Sequence, residues 1–356
     1  MTTVRAAGGP IATPGLAPAT TAAPGARSAP SPRSGRSAGV AIGLLSAMCF
    51  GTSGTFGAAL IGAGWSPAGA VFARVLVAAL TLTVPAVLAL RGRWRVLRRS
   101  LWQVTVYGLV GVAACQVCYF NAIARMPVGI SIMLEYLGIV LIVLWLWVRH
   151  GQTPRPLTIG GGVAALGGLA LMLNLTGAGG VSLVGVLFAM AAAVSMAVYF
   201  FQSAALSGPG PDVGADAVPG GDAGLGSDVA ASADLPPVVL TWGGMVVGAA
   251  AIALGGAVRV TPMQFAASDV ALFGGRTSWI VPVLGLGVVA AAIAYVTGIG
   301  AARRLGAKFG SFVAMAEIGF AVLFAWILLD QTPTATQFAG GALILAGVIA
   351  VRLDEP

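Results

Sequence analysis

The stretch Arg125–Leu173, RMPVGISIMLEYLGIVLIVLWLWVRHGQTPRPLTIGGGVAALGGLALML, is written a second time near the end of the chain. Gln152-Thr153-Pro154 falls on Gln331-Thr332-Pro333 at an offset of 179. At that offset, without a gap, Arg125 falls on Arg304, Trp147 on Trp326, Gly161-Gly162 on Gly340-Gly341 and Gly168 on Gly347. About a dozen identities in roughly fifty positions, most other pairs being apolar on apolar, mark an old duplication. The beginnings of the two halves match at a different offset, 146: Gly39-Val40 on Gly185-Val186 and Ala58-Ala59-Leu60 on Ala204-Ala205-Leu206. The second half therefore carries about 33 extra residues, and the Gly/Pro/Asp-rich stretch Ser207 to Pro237 is where they are expected.

Composition says where such a unit lives. Of 356 residues 58% are hydrophobic and only 8% charged, against roughly a quarter charged in soluble domains. An ordinary soluble enzyme is excluded, and a multi-span membrane protein remains. The net charge of +8 does not indicate nucleic acid, because the arginines sit in short loops between apolar runs. Cys49, Cys115 and Cys118 all lie inside apolar runs, so no disulfide framework is implied.

Residues 1–37 hold Ala, Pro, Gly, Ser and Thr with no apolar run, and are expected to form a disordered tail unlike a signal peptide. Ten apolar runs follow, each near the roughly 20 residues that a spanning helix needs. The reading is an all-α integral membrane protein: one repeat of five spans over 38–174 and another over 182–353, with a disordered acidic insertion at about 207–237. The runs are Ala38–Ile61, Ala68–Leu90, Leu101–Ala122, Gly129–Val148 and Leu157–Leu173. In the second repeat they are Leu183–Leu206, Val238–Val258, Ile280–Ala301, Phe309–Leu329 and Thr336–Val351, with the linker Arg259–Ser278 a place for a short interfacial segment. With the N-terminus inside, the inner loops and termini hold fifteen Lys and Arg, the outer loops only Arg125, Arg259 and Arg276. Both termini are accordingly expected in the cytoplasm. Five spans per copy forces the second copy to enter from the opposite side, an inverted repeat of the kind that supports alternating access.

Three charged residues lie well inside these runs: Arg74, Glu135 and Glu317. A charge at mid-membrane costs about 2.5–3.5 kcal/mol on insertion scales, so such residues face a cavity or a partner. Glu135 and Glu317 occupy equivalent spans but not equivalent positions: Glu317 aligns with Gly138 and Glu135 with Ala314, one helical turn apart. They suit holding a cationic group on a substrate or carrying a proton in exchange; the plainer alternative is a neutral, hydrogen-bonded Glu that fixes packing. Arg74 suits a substrate carboxylate or, equally, a structural pairing with a Glu or a helix end. Tyr119, Asn121, Tyr199, Gln202, Trp242 and Tyr295, with Ser53, Thr55, Gln116, Ser195 and Thr241, are candidates to line a shared cavity. Each by itself also reads as ordinary packing or an interfacial aromatic.

Several other patterns carry no chemistry. Cys115-x-x-Cys118 puts two thiols on one helix face without a second pair or a nearby His, so they read as small packing residues and no metal site is expected. The single histidine, His150, is in a loop, no catalytic His/Asp/Ser set exists, and no Walker A loop is present. Gly51, Gly54 and Gly57 and the glycines of the last run read as close helix contacts.

The run from Tyr119 through Asn121, Arg125-Met-Pro-Val-Gly129 and Leu134-Glu-Tyr-Leu-Gly138 resembles the EamA family of the drug/metabolite transporter superfamily. So do Ala301-Ala-Arg-Arg-Leu-Gly306, Glu317, Leu329-Asp-Gln-Thr332 and Gly340-Gly-Ala-Leu-Ile-Leu-Ala-Gly347. Phe50-Gly-Thr-Ser-Gly-Thr-Phe-Gly57 and Ala63-Gly-Trp-Ser-Pro67 leading to Arg74 agree, so the likeness covers nearly everything from Gly39 to Val351. The Met-Pro-Val-Gly…Leu-Glu-Tyr-Leu-Gly pattern is most similar to the threonine/homoserine exporter branch. This chain departs in having Glu317-Ile318 and Gly138-Ile139 where the family often has Pro after each, and Asp330 where Glu is usual. The resemblance implies secondary transport, commonly export, of amino acids or related metabolites across the inner or plasma membrane. A multidrug exporter is the alternative within transport, and a non-transporting membrane protein the alternative outside it. The partners expected are an amino acid-like small molecule and the lipid bilayer, with either the proton gradient or the substrate's own gradient as driving force, and no nucleic acid and no cofactor; nothing sets an oligomeric state.

Overall fold

Ser66 and Pro67 show how the spans begin. The Ser66 hydroxyl accepts from the Gly69 amide at 3.1 Å and Pro67 takes the first helical position, where its missing N–H costs nothing. The structure, a computed structural model, describes residues 32–92, 94–138, 140–141, 147–148, 155–173, 182–206 and 235–354. Its helices are α1 (Pro32–Gly62), α2 (Pro67–Leu90), the short α3 (Trp94–Arg99), α4 (Leu101–Ile123), α5 (Val128–Tyr136), α6 (Pro156–Leu173) and α7 (Leu183–Leu206). After them come α8 (Pro237–Ala257), a hairpin of β1 (Val270–Leu272) and β2 (Gly275–Thr277), α9 (residues 280–314), α10 (Ala316–Leu329) and α11 (Ala335–Asp354). Among the described residues five segments, Ser37–Gly62, α2, α4, Val238–Ala257 and Ile280–Ala301, are long and apolar enough to cross a membrane, and α6, α7, α10 and α11 contain shorter apolar helices.

The glycines show how the halves meet. An added Cβ on Gly39 would touch Arg304 and Leu305, while one on its counterpart Gly185 would touch Arg125 and Met126. Gly108 lies against Val247 and the Gly244 carbonyl of α8; Gly287, 179 residues on, lies against Val77 and the Arg74 carbonyl of α2. Gly168 meets Gly340 and Ile344, and Gly347 meets Gly161 and Ala165. In these three pairs the contact made by one half is returned by the other, as a pseudo-two-fold axis requires. In the last pair position 161 faces 347 while 168 faces 340, so α6 and its equivalent α11 run antiparallel. The equivalent helices α2 and α8 are antiparallel too: Thr83 accepts from Trp242 at one end, and Ser66 meets Gln264 near the other. Association in lipid rests on such close backbone approach, since tails are as apolar as the side chains. Gly347→Val is expected to destabilise the fold by roughly 1–3 kcal/mol, because its Cβ meets the Ala165 amide at 2.7 Å in a site without room. Thermal denaturation in detergent reads this, and an unchanged midpoint would show that α6 and α11 separate without cost.

Four expectations are revised or lie outside the description. First, the extra length of the second half is divided. Gly244 and Val247 take the places of Arg74 and Val77, an offset of 170 that also pairs Pro237 with Pro67. Twenty-four of the 33 residues thus precede α8, and nine fall between α8 and α9. Second, the linker given as a place for a short interfacial segment holds a β-hairpin. Phe273 and Gly274 have φ of 57° and 69°, the two left-handed residues of a primed two-residue turn, and Leu272 pairs with Gly275 across it. Third, α1 begins at Pro32, six residues before the expected run, and no break separates the expected eighth and ninth runs: helix continues to Ala314 and is interrupted at Met315. Fourth, residues 1–31, most of 139–154 and the insertion 207–234 lie outside the described residues.

Candidate functional site

Two helices that match at the 179 offset are interrupted within one residue of matching places, at Leu137 and at Met315. α5 ends at Tyr136, and the Leu137 amide bonds to the Leu134 carbonyl in a tight turn. Met315 makes the same turn before α10, with the Ile318 amide on its carbonyl at 3.1 Å. Glu135 lies just before the first interruption and Glu317 just after the second, in the first turn of α10, where the helix dipole favours a negative group. Both helices also meet partners across the repeat boundary.

Arg74 comes up from α2 to the same region and is only 2% exposed. It donates to Ser53 Oγ of α1 at 2.7 Å, to Gln116 Oε1 of α4, and to the Ala290 carbonyl at 2.9 Å. Ala290 lies in a π-helical stretch, Gly285–Ile293, matched in α4 by another at Tyr107–Ala114. Phe120 sits under the guanidinium, 6.0 Å from ring centre to Cζ. Among the described residues the Arg74 guanidinium is thus held by two neutral side chains and a carbonyl. At the place of Arg74 in the second half stands Gly244, with the Tyr107 ring laid against it. The site is chemically one-sided on a symmetric frame.

Each acid has a neutral donor. The Cys115 thiol donates to Glu135 Oε1 at 3.2 Å, and the Tyr136 hydroxyl donates to Glu317 Oε2 at 2.9 Å and lies 3.3 Å from the Ala314 carbonyl. Tyr136 is the neighbour of Glu135 in sequence yet bonds the acid of the other half. Tyr119, 4% exposed, stands within electrostatic reach of both acids and of Arg74, its hydroxyl against Gly54. Gly138, which aligns with Glu317, has the Ala193 backbone against it; no side chain fits there, so the second acid belongs in α10. Tyr136→Phe removes one hydrogen bond, worth about 0.5–1.5 kcal/mol net, and is expected to lower the thermal midpoint in detergent without unfolding the protein. A midpoint equal to that of the parent would make Tyr136 a packing residue.

The remaining candidates divide. Tyr295, 6% exposed, packs edge-to-face on Phe50 with ring centres 4.8 Å apart. Asn121 is engaged at the end of α4, bonding to the Val117 carbonyl and accepting from Arg125 at 3.0 Å. Trp242 donates to Thr83 Oγ1 at 3.1 Å and packs on the separate cluster of Ala86, Leu90, Val104, Leu235 and Val239, so it is not gathered with the acids. Ser195 bonds back to the Ala191 carbonyl of its own helix. Thr55 and Thr241 are fully buried. Tyr199 and Gln202 are on α7, but their side chains lie outside the described residues. Sequence reasoning assigned no role to Tyr136 and treated Cys115 as packing alone; the signal for Tyr136 was a phenol beside a membrane-buried acid. Among the described residues no group of three or more His, Cys, Asp or Glu is placed to hold a metal ion.

The family model described as "EamA-like transporter family" matches residues 37–174 and 224–353. A solved crystal structure described only as that of a protein superposes with a TM-score of 0.55 at 22% identity, covering 89% of this chain and 97% of its own, a likeness of fold alone. No curated protein matches the chain at a significant level.

Proposed function

We propose that this chain, which belongs to the EamA-like transporter family, is a secondary active transporter of the cell membrane that exports amino acids or related small metabolites. Ten spans in two inverted repeats, with both termini in the cytoplasm, carry the substrate by alternating access. One observation supports this most: the buried Glu135 and the half-buried Glu317, one from each repeat, lie at two interrupted helices linked by the Tyr136–Glu317 bond, with the buried Arg74 nearby. Such interruptions at a repeat interface are where secondary transporters place substrate and coupling ion. In this reading Arg74 takes a carboxylate, Glu135 and Glu317 take an ammonium group or a proton, and Tyr119 and Tyr295 shape the cavity, with Asn121, Tyr199, Gln202 and Trp242 as outlying candidates.

Alternating access follows from the reciprocal contacts. If α1 against α9 is looser than α7 against α4, the site opens to one face, and exchanging the two arrangements opens it to the other. The Tyr136–Glu317 bond joins a helix of each repeat, so protonation or substrate binding at Glu317 is felt by both. Untargeted metabolite profiling of the medium from overexpressing cells, with Glu317→Gln at the same level as control, is the test. One amino acid or relative should accumulate only with the parent protein, and matching media would remove export of an endogenous metabolite. The Phe120 ring under Arg74 and the Tyr119 ring packed on it favour, as a second reading, export of aromatic or lipophilic cations. Resistance to such compounds, without metabolite export, would decide for it.

A further inference from the structure

The hairpin between α8 and α9 is a built feature. Trp65 Nε1 donates to the Ala266 carbonyl at 2.7 Å and the Ser66 amide to the Gln264 carbonyl at 3.1 Å. The Gln264 amide donates back to Ser66 Oγ at 2.9 Å, and Ser268 Oγ to the Ala63 carbonyl at 2.8 Å. The segment leading into the hairpin is thereby bonded to the turn between α1 and α2, and the two border a half-open cavity of about 440 Å³. That is within the ~300–1,000 Å³ of small-molecule sites.

Two opposite charges line this cavity: Asp269 and Arg276. Ala271 pairs with Arg276 in the strand register, and Asp269 lies two residues before Ala271, so all three share one face of the hairpin. Among the described residues neither charge enters an ion pair or a side-chain hydrogen bond, although both border the same space. The opposite wall is small: an added Cβ on Gly62, the last residue of α1, would meet nothing within 4 Å. The far edge is Leu329, at the end of α10, twelve residues and about 18 Å along that helix from Glu317.

We propose that this cavity is a second binding site, for a zwitterion of the α-amino-acid type, at the mouth of the route that leads to Glu317. Asp269 takes the ammonium group and Arg276 the carboxylate, and the small wall of α1 leaves room for the side chain. The inference rests on the transport reading for its place on a route, but the site itself does not. Both charges are exposed, so binding is weak and falls with ionic strength. The hairpin residues account for part of the extra length of the second half, and the first half has no equivalent.

The test uses the full chain in lipid nanodiscs, as the parent and as Glu317→Gln, titrated by calorimetry with each of the twenty proteinogenic L-amino acids. An amino acid that binds is then compared with its carboxamide and its deaminated acid. At least one amino acid should bind Glu317→Gln, and each truncated analogue should bind about tenfold more weakly, the scale of one charge-assisted hydrogen bond. Asp269→Asn together with Arg276→Gln should weaken the amino acid by at least that much, and so should Gly62→Trp, which fills the cavity. Should Gly62→Trp fail to fold, the doubly neutralised variant, altered only at exposed positions, decides. Binding that survives neutralisation, or no binding of any amino acid to the parent, overturns the proposal. Flux in vesicles separates the two readings. Amino acid export with unaltered binding in the neutralised variant removes the hairpin site and leaves the function; hairpin-dependent binding without flux removes the function and leaves the site.

Discussion

Glu317→Gln is expected to reduce flux by roughly 100-fold or more, the scale of losing a proton-transferring group, with membrane abundance unchanged. The structure makes this substitution a narrow one. Gln keeps the length of Glu and an oxygen to accept from the Tyr136 hydroxyl, which now stands 2.9 Å from Oε2. A neutral side chain also lowers the cost of burying the group, so folding is not the expected loss. What disappears is the ability to carry charge or a proton in the first turn of α10. Purified protein in vesicles, with equal amounts of parent and variant, gives the comparison. Normal flux would remove Glu317 from the mechanism and leave it a packing residue.

Arg74→Leu has the second large expected effect, on stability as well as transport. Three acceptors from three helices, Ser53 of α1, Gln116 of α4 and Ala290 of α9, converge on one guanidinium. Leu removes all three bonds and leaves buried polar groups facing an apolar side chain, a loss on the order of 3 kcal/mol. Arg74→Lys is informative because it keeps the charge. A single ammonium cannot reproduce the fixed fork that serves Ser53, Gln116 and Ala290 together. The expected order of thermal midpoints in detergent is parent, then Arg74→Lys, then Arg74→Leu, with flux lost in both variants. Full flux and the parent midpoint in the Leu variant would mean that Arg74 neither joins the helices nor touches substrate.

The membrane character, the duplication and the pairing of acids with equivalent spans were legible because they are one-dimensional. A bilayer demands apolar runs of a set length, so composition and run length report the spans directly. A repeat offset likewise reports which residues are equivalent, and it placed Gly161, Gly168, Gly340 and Gly347 in register before their contacts were seen. Equivalence does not say who touches whom. Tyr136 follows Glu135 in the chain but points to Glu317, because the crossing of α5 and α10 and not sequence distance decides its partner. Trp242 had the right residue type for a cavity, yet the antiparallel packing of α2 and α8 takes it to Thr83.

The same distinction explains the extra residues of the second half. Two offsets taken at the ends of a repeat cannot say where the length between them was gained; the contacts of Gly108 and Gly287 assign nine residues to the linker that holds the hairpin. The sequence by itself determined an all-helical membrane chain with two related halves and three charges inside them. Only the tertiary structure decided that Arg74 is held by neutral partners, that each acid has its own donor, and that Asp269 and Arg276 border one cavity. Spans follow from transfer out of water, which each segment undergoes by itself, whereas a site is made from side chains whose helices must first be brought together.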